Sequence, residues 1–443
     1  MRRQTLKHSA LLSTLFLFAC AGTTKAPKDA KAPGPYASTY AVPKSKAFVI
    51  ENATILTGAG QKIIGGRVWV EEGKIREVGA TVSAPEGTEV VDGAGRWLTP
   101  GIIDMHSHLG VYPAPSATQT EDGNEMTSPT TPDVWAEHSV WPQDPQFTRA
   151  LAGGVTTMLI LPGSANLIGG RGVVVKNVPS RTVQGMKFPK APYSLKMACG
   201  ENPKMVYGQK GSKPMTRMGN FAGYREAWIG AKNYTGADRD LAKETLSGVL
   251  KGEILVQIHC YRADEMALMI DMAKEFGYKI AAFHHAVEAY KIADLLEKEG
   301  ICSAMWADWW GFKIEAFDGI QENIPMVHAA KACAVVHSDS PEGIQRLNQE
   351  AGKAMTRGNA MGIGIQPEDA IAWITSNPAK AIGVDGVTGS IEKGKNADLV
   401  LWNQNPFSVY AKAEKVWIDG AKAYDRSAPV SQPASDFELG GAR

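Results

Sequence analysis

The sequence has almost no excess of charge. Lys and Arg number 47 against 46 Asp and Glu, a formal net charge of +1, and the two signs are interspersed. No basic patch therefore points to nucleic acid as a partner. The apolar run near the start, Ala10 to Phe18, is too short to span a bilayer as a permanent helix. Cysteines number only 5, and Cys199, Cys260, Cys302 and Cys333 lie in or beside apolar strand-like runs without the paired spacing of a zinc–thiolate site. They are expected as buried free thiols rather than disulfides. A glycine-rich dinucleotide fingerprint is also missing, which weighs against a doubly wound open sheet. What is there is an ordinary globular composition over 443 residues, more than one core usually fills, so one large domain and a smaller one are expected.

The first residues have the make-up of an export signal. Arg2, Arg3 and Lys7 precede the apolar run, and "LFAC" resembles a bacterial lipobox in which Cys20 is lipidated. Residues 1–20 are thus expected as a signal peptide with lipobox, placing the protein in the cell envelope, anchored to the outer membrane and facing the periplasm or the exterior. A soluble exported protein is the alternative, and export through the general or the twin-arginine route stays open. Residues 21–46, rich in Ala, Pro and Lys, are expected as a disordered tether.

From 47 to 98, short alternating runs broken by Gly turns predict antiparallel strands, and the same texture returns over 385–426. Two strand-rich ends around an unlike middle suggest one small β-sandwich built from both termini, with 427–443 as a flexible tail. Over 99–384, apolar runs such as "VTTMLILPG", "SLKMACG", "EILVQIHC", "IAAFHH" and "CAVVHSDS" alternate with helical stretches such as "RADEMALMIDMAKEFG". Strand followed repeatedly by helix predicts an α/β fold, a (β/α)8 TIM barrel with the small β-sandwich attached.

In such a barrel the active site lies where the strands end, so polar residues closing apolar runs become candidates. In "TPGIIDMHSHLG", His106 and His108 stand two residues apart and share one side of a strand. His259, His285 and Asp339 close later runs. One imidazole at a strand end is unremarkable, but four with a carboxylate, each on converging strands, make a metal site. His8 falls in the signal, while His138 and His328 are read as surface or packing. His284 and His337 are expected to point to the opposite face.

Taken together, "TPGIIDMHSHLG", strand-rich ends, His259, His285 and the "HSDS" around Asp339 resemble the amidohydrolase superfamily. "HCYRADEM", "HHAVEAYKIADLL" and "NPAKAIGVDGVTGSIEKGKNADLVLW" are similar to its imidazolonepropionase-like members. The resemblance runs from Ala47 to about Arg426. It implies His106 and His108 as ligands on the first barrel strand, His259 on the fifth, His285 on the sixth and Asp339 on the eighth. On the fourth, Lys196 would be a carboxylated lysine bridging two ions, with Glu201 as the alternative carboxylate. The implied cofactor is a divalent metal, zinc given mainly imidazole ligands, as one ion or two.

The implied chemistry is hydrolysis of a non-ester C–N bond in an amide, cyclic amide or dipeptide. A bound ion lowers the pKa of its water to about 7 and polarises the carbonyl. Asp339 would move the proton as general base and acid, and His285 either ligates or donates to the developing oxyanion. Arg217 in "PMTRMG" is a candidate for a substrate carboxylate, and Trp309 for the wall of an apolar pocket. "HCYRADE" departs from the "HADE" of the imidazolonepropionase pattern. Expected partners are a small-molecule substrate and the membrane through Cys20; whether the chain is a monomer or a homo-oligomer stays open. A different class of function, a lipid-tethered barrel that binds without turnover, would predict loss of a ligand or of Asp339, and none is lost.

Overall fold

The structure is a computed structural model that describes residues 35–428. The expected signal peptide with Cys20, the tether up to residue 34 and the tail from 429 lie outside the described residues. No helix among the described residues is long and apolar enough to cross a membrane.

Sixteen strands are described. The N-terminal part contributes β1 (Phe48–Leu56), β2 (Lys62–Glu71), β3 (Lys74–Gly79), β4 (Glu89–Asp92) and β5 (Trp97–Pro100). The middle contributes β6 (Ile102–Ser107), β7 (Val155–Ile160), β8 (Ile168–Lys176), β9 (Tyr193–Ala198), β10 (Ile254–Cys260), β11 (Ile280–His285), β12 (Cys302–Met305) and β13 (Cys333–Val336). The last three are β14 (Leu399–Trp402), β15 (Ala413–Ile418) and β16 (Ala421–Asp425).

The two ends meet in one sheet, ordered β16-β15-β14-β5-β1-β2-β3, with β4 paired to β1. Leu399 pairs with Pro100, so this sheet reaches one residue past the expected boundary at 99. Alternation along β2 puts Val68 and Val70 into its core with Ile50, Ile55 and Leu399. The expected tether is fixed to this body near its end: Ser38 Oγ donates to the Lys187 carbonyl (2.6 Å) and Tyr40 Oη to Asp419 Oδ2 (2.6 Å).

The middle strands run in sequence order from β6 to β13 around a barrel. The Asp339 amide just after β13 donates to the His106 carbonyl (3.1 Å), joining the ends. The expectation of an all-parallel barrel needs correction at β8, which pairs antiparallel with both β7 and β9. Only a short turn separates β7 from β8, too little chain for a helical crossover. Elsewhere the helices form as their spacing predicts. Ala263–Phe276 buries Met266, Met269, Ile270, Ala273 and Phe276 and stops at Gly277, whose φ of 81° suits only a residue without Cβ. Each such apolar side chain contributes roughly 1.5–3 kcal/mol by leaving water.

The four barrel cysteines are not free thiols. Cys199 bonds to Cys260, and Cys302 to Cys333, with Cα separations of 5.2 and 4.4 Å. The cause is register: Cys302 and Cys333 are direct partners on β12 and β13, and Ala198 and His259 pair one residue before the other bond. With sequence separations of 61 and 31, no local spacing signals the contact.

Candidate functional site

The barrel strands end in a ring of imidazoles. On β11, Ala282 belongs to the lumen cluster and Phe283 to the layer under the helices, so alternation turns His284 into the lumen. His285 would then face outward, but its φ of 68° breaks the pleat and brings its ring back over the mouth. On β13 the same rule turns His337 inward after Val335, and Asp339 joins it with φ 51°. The expectation that His284 and His337 face away is therefore overturned. The ligand atoms of His106, His108 and Asp339 lie within 4.8 Å of one another, as do those of His106, His285 and His337.

Hydrogen bonds fix which nitrogen faces the centre. Gln257 Nε2 donates to the Ala381 carbonyl (2.9 Å), leaving its Oε1 to accept from His284 Nε2 (2.8 Å). His284 Nδ1 then accepts from His106 Nδ1 (2.8 Å), so His106 presents a bare Nε2 to the centre. His108 Nδ1 donates to the Leu161 carbonyl (2.8 Å), turning its Nε2 the same way. His106 Nε2, His108 Nε2 and Asp339 Oδ1 stand 3.1–3.3 Å apart. Asp104 holds the frame from below, accepting from the amides of His106 (3.1 Å) and Ser338 (3.3 Å) and from the Ser338 hydroxyl.

Burial holds His106, His259, His284 and His285 well below the usual imidazole range, with the Lys196 charge adding to the effect on the first three. These rings are neutral, the form that ligates. Burial alone would raise Asp339, but the imidazoles of His108, His285 and His337 around it hold it below the ordinary carboxylate range. His259 is 2% exposed, and neither of its ring nitrogens has a hydrogen-bond partner. Two orphaned nitrogens on a buried ring, beside converging lone pairs and an ionised carboxylate, fit a divalent cation.

Lys196 is buried on β9 and donates to the Pro162 carbonyl (3.0 Å). Burial pulls it down to about 8, against the opposing pull of Asp339. Glu201, the alternative, instead turns to Lys313, 3.6 Å away. Lys313 Nζ also lies 3.9 Å from the centre of the Tyr261 ring.

Arg217 does not offer a free fork. Its guanidinium is held by Glu265 (3.0 Å from Nε) and by Glu315, both buried carboxylates. It clamps together the chain after β9, β10 and β12. Trp309 stacks on Trp306 with ring centres 4.9 Å apart, and Trp306 stacks on His285 at 4.5 Å. His138 is the exposed last residue of a 3-10 turn, and His328 Nδ1 accepts from Trp373 Nε1 (3.3 Å), a packing role.

The sequence reading missed His284, His337 and Gln257. His337 stands two residues before Asp339, the spacing that pairs His106 with His108. No comparable signal marks Gln257.

Comparison with known proteins gives this ring its kinship. Residues 97–423 match the model of the amidohydrolase family. A solved amidohydrolase from Thermotoga maritima MSB8 is 36% identical, with a TM-score of 0.79 over 86% of this chain and 100% of that one. Amidohydrolase tasK of Hapsidospora irregularis is 33% identical over 84% of this chain, which spans 41% of that protein's length. An imidazolonepropionase of Mesorhizobium japonicum is 24% identical over 81% of this chain and 93% of its own. From a family model that covers most of the chain, and a solved relative matched along its whole length, it follows that this chain belongs to the amidohydrolase family of hydrolases.

Proposed function

We propose that the protein is a metal-dependent hydrolase of a non-ester C–N bond in an amide, cyclic amide or dipeptide. His106, His108, His259, His285 and Asp339 would hold the metal, zinc given mainly imidazole donors, with Lys196 on β9 as the further ligand after carboxylation. The observation that carries this reading is His259, buried with both nitrogens unpartnered and packed on His285 (ring centres 4.6 Å apart), which joins it to the His106, His108 and Asp339 group through His106 (4.8 Å). When bound, a divalent ion supplies an acidified water, of pKa about 7, and polarises the scissile carbonyl.

The chain's own residues do the rest. Asp339, held ionised, accepts the proton of the attacking water at a carboxylate oxygen and returns it to the departing nitrogen. The Gln257–His284–His106 chain keeps the His106 lone pair aimed at the centre. Lys196, pulled down to about 8, is about one-tenth neutral near pH 7, far more than an ordinary lysine, and the neutral amine is the form that reacts with carbon dioxide. His337, which reaches His285 Nδ1 at 2.9 Å, steadies that ring. The barrel and the terminal sheet, which we take as the small sandwich of the sequence reading, form the catalytic body.

The location we infer is the cell envelope, by export and a lipid on Cys20. Support comes from the basic start and lipobox pattern and from two disulfides, which persist in oxidising compartments.

The test is to strip the purified protein with a chelator, then restore zinc or manganese across panels of amides, cyclic amides and dipeptides. Turnover that returns with metal and is lost in Asp339→Asn supports the reading. Protein that stays inactive on every panel after metal is restored, or Asp339→Asn with full turnover, would sink it.

A further inference from the structure

Beyond His285 the mouth opens into a cavity of about 320 Å³ whose lining differs from that of the imidazole ring. Val287, Trp306, Trp309, Trp310 and Ile320 supply its apolar wall, and His285, Asp308, Gln321 and Asn323 its polar one. The three tryptophans grow more exposed outward, at 7%, 39% and 60%. His285, Trp306 and Trp309 form a continuous stack, with interplanar angles of 25° and 12°, leading from the reacting centre to the rim. Phe312 stands edge-on to both Trp306 and Trp309.

Most polar groups of this cavity are already committed, the Gln321 amide being an exception in the lining that could still meet a neutral polar group of a substituent. Trp306 Nε1 donates to the Ser338 carbonyl (3.0 Å) and Trp310 Nε1 to the Phe317 carbonyl (2.6 Å), so both rings offer faces rather than donors. Asn323 Nδ2 donates to the carbonyls of Ala286 and Val287 (2.9 and 3.1 Å), and its Oδ1 accepts from the Tyr290 amide (2.9 Å). Asp308, the charged residue of the lining, is paired with Lys353 at 2.8 Å. A charged substituent would find no free counter-charge here. A flat or branched apolar one would leave water against indole faces that are otherwise exposed.

We infer that this cavity is the specificity subsite of the enzyme, and that it takes a large uncharged substituent, aromatic in preference to aliphatic, next to the scissile C–N bond. The inference rests on the C–N hydrolase reading of the adjoining ring. It names the substrate class as amides or dipeptides with a bulky apolar side chain. Arg217, paired with Glu265 and Glu315, plays no part in that selection.

The experiment measures kcat/KM on matched dipeptides or acyl amino-acid amides that carry phenylalanine, leucine, glycine, lysine or aspartate side chains. Binding of the same compounds to the Asp339→Asn protein is followed by tryptophan fluorescence. Wild type should prefer phenylalanine to glycine by about 10- to 100-fold, the usual worth of burying a large apolar group, and should discriminate against both charges. Trp309→Ala should bring the phenylalanine-to-glycine ratio towards one, while Trp309→Phe keeps most of it. A second variant, Ile320→Asp, should reverse the discrimination against lysine even if Trp309→Ala fails to fold.

Turnover without side-chain preference, or with a preference untouched by these substitutions, overturns the subsite and leaves the C–N reading standing. Fluorescence-detected binding of the phenylalanine compounds without any hydrolysis supports the subsite and counts against the C–N reading. Neither binding nor hydrolysis of apolar compounds overturns the subsite as well.

Discussion

Each disulfide joins neighbouring barrel strands, so its removal should free a large loop in the unfolded chain while the strands still pair in the folded one. The loop sizes set the magnitude. With a sequence separation of 61 between Cys199 and Cys260, the chain-entropy relation gives about 4.3 kcal/mol, and with 31 between Cys302 and Cys333 about 3.7 kcal/mol. For a chain of 443 residues that is a fall in Tm of about 4 to 5 °C for each bond. The two should differ in their effect on the site. The Cys199 amide donates to the His259 carbonyl at 2.8 Å, so that bond lies against the orphaned imidazole, while the other sits two strands further on.

The assay is thermal unfolding of wild type and of the double variants Cys199→Ala with Cys260→Ala and Cys302→Ala with Cys333→Ala, with and without reductant. Wild type should melt lower in reductant, each variant should lose about one bond's worth, and only the first should also lose metal affinity. Four reactive thiols titrated in urea without reductant, or a wild-type melt indifferent to reductant, would refute the reasoning.

Gln257→Leu should free His284 to flip and let the His106 lone pair wander, lowering metal affinity roughly 10- to 100-fold with little change in far-UV circular dichroism; unchanged affinity by competition with a chromogenic chelator would contradict it. Arg217→Ala leaves Glu265 and Glu315 buried without their shared cation, so denaturant unfolding should show a loss of about 3 kcal/mol, and no loss would mean the clamp is idle. The metal-free protein should weaken in acid. His106, His259, His284 and His285 sit well below the imidazole range and His337 at about 4, all chiefly through burial, whereas the unfolded chain titrates near 6.5. Unfolding takes up protons below that pH, so stability is fully present above it and falls as pH drops towards about 4. Asp104, pushed up to about 7 by burial, and Asp144, Glu265 and Asp419, also raised chiefly by burial, act in the opposite sense and reduce the size of the loss. A Tm that rises from about pH 7 to about pH 5 would count against neutral rings.

Much of this was legible in the sequence because strand-end histidines in a barrel have few places to go. The spacing of His106 and His108, and the apolar runs ahead of His259, His285 and Asp339, put five groups at one mouth. Counting alternation outward from the wrong residue hid the rest. His285 and Asp339 reach the centre through left-handed backbones, while His284 and His337 obey the pleat and fill the lumen beneath them. A reading that assumes regular strands assigns the sides the other way round.

Strand β8 was missed for a different reason. "IGGRGVVVK" opens on glycines, and Gly170 needs them: a Cβ there would lie 2.3 Å from the Val134 carbonyl oxygen. The disulfides and the Arg217 clamp depend on register and on where three loops meet, and periodicity carries neither. The aromatic run after β12 was visible as a string of tryptophans. Its stacking on His285, which ties it to the reacting centre, emerges only in the fold.

The central claim is that the imidazole ring holds a divalent cation, and the most direct measurement is metal content per chain by elemental analysis. It would be made on wild type and on His259→Ala, checked for equal folding by circular dichroism, with Lys196→Ala alongside. The account predicts one or two divalent ions in wild type and a clear loss in His259→Ala; a further loss in Lys196→Ala would mark a second, lysine-dependent ion. Wild-type protein that is folded and active without metal, or a content unmoved by His259→Ala, would contradict it.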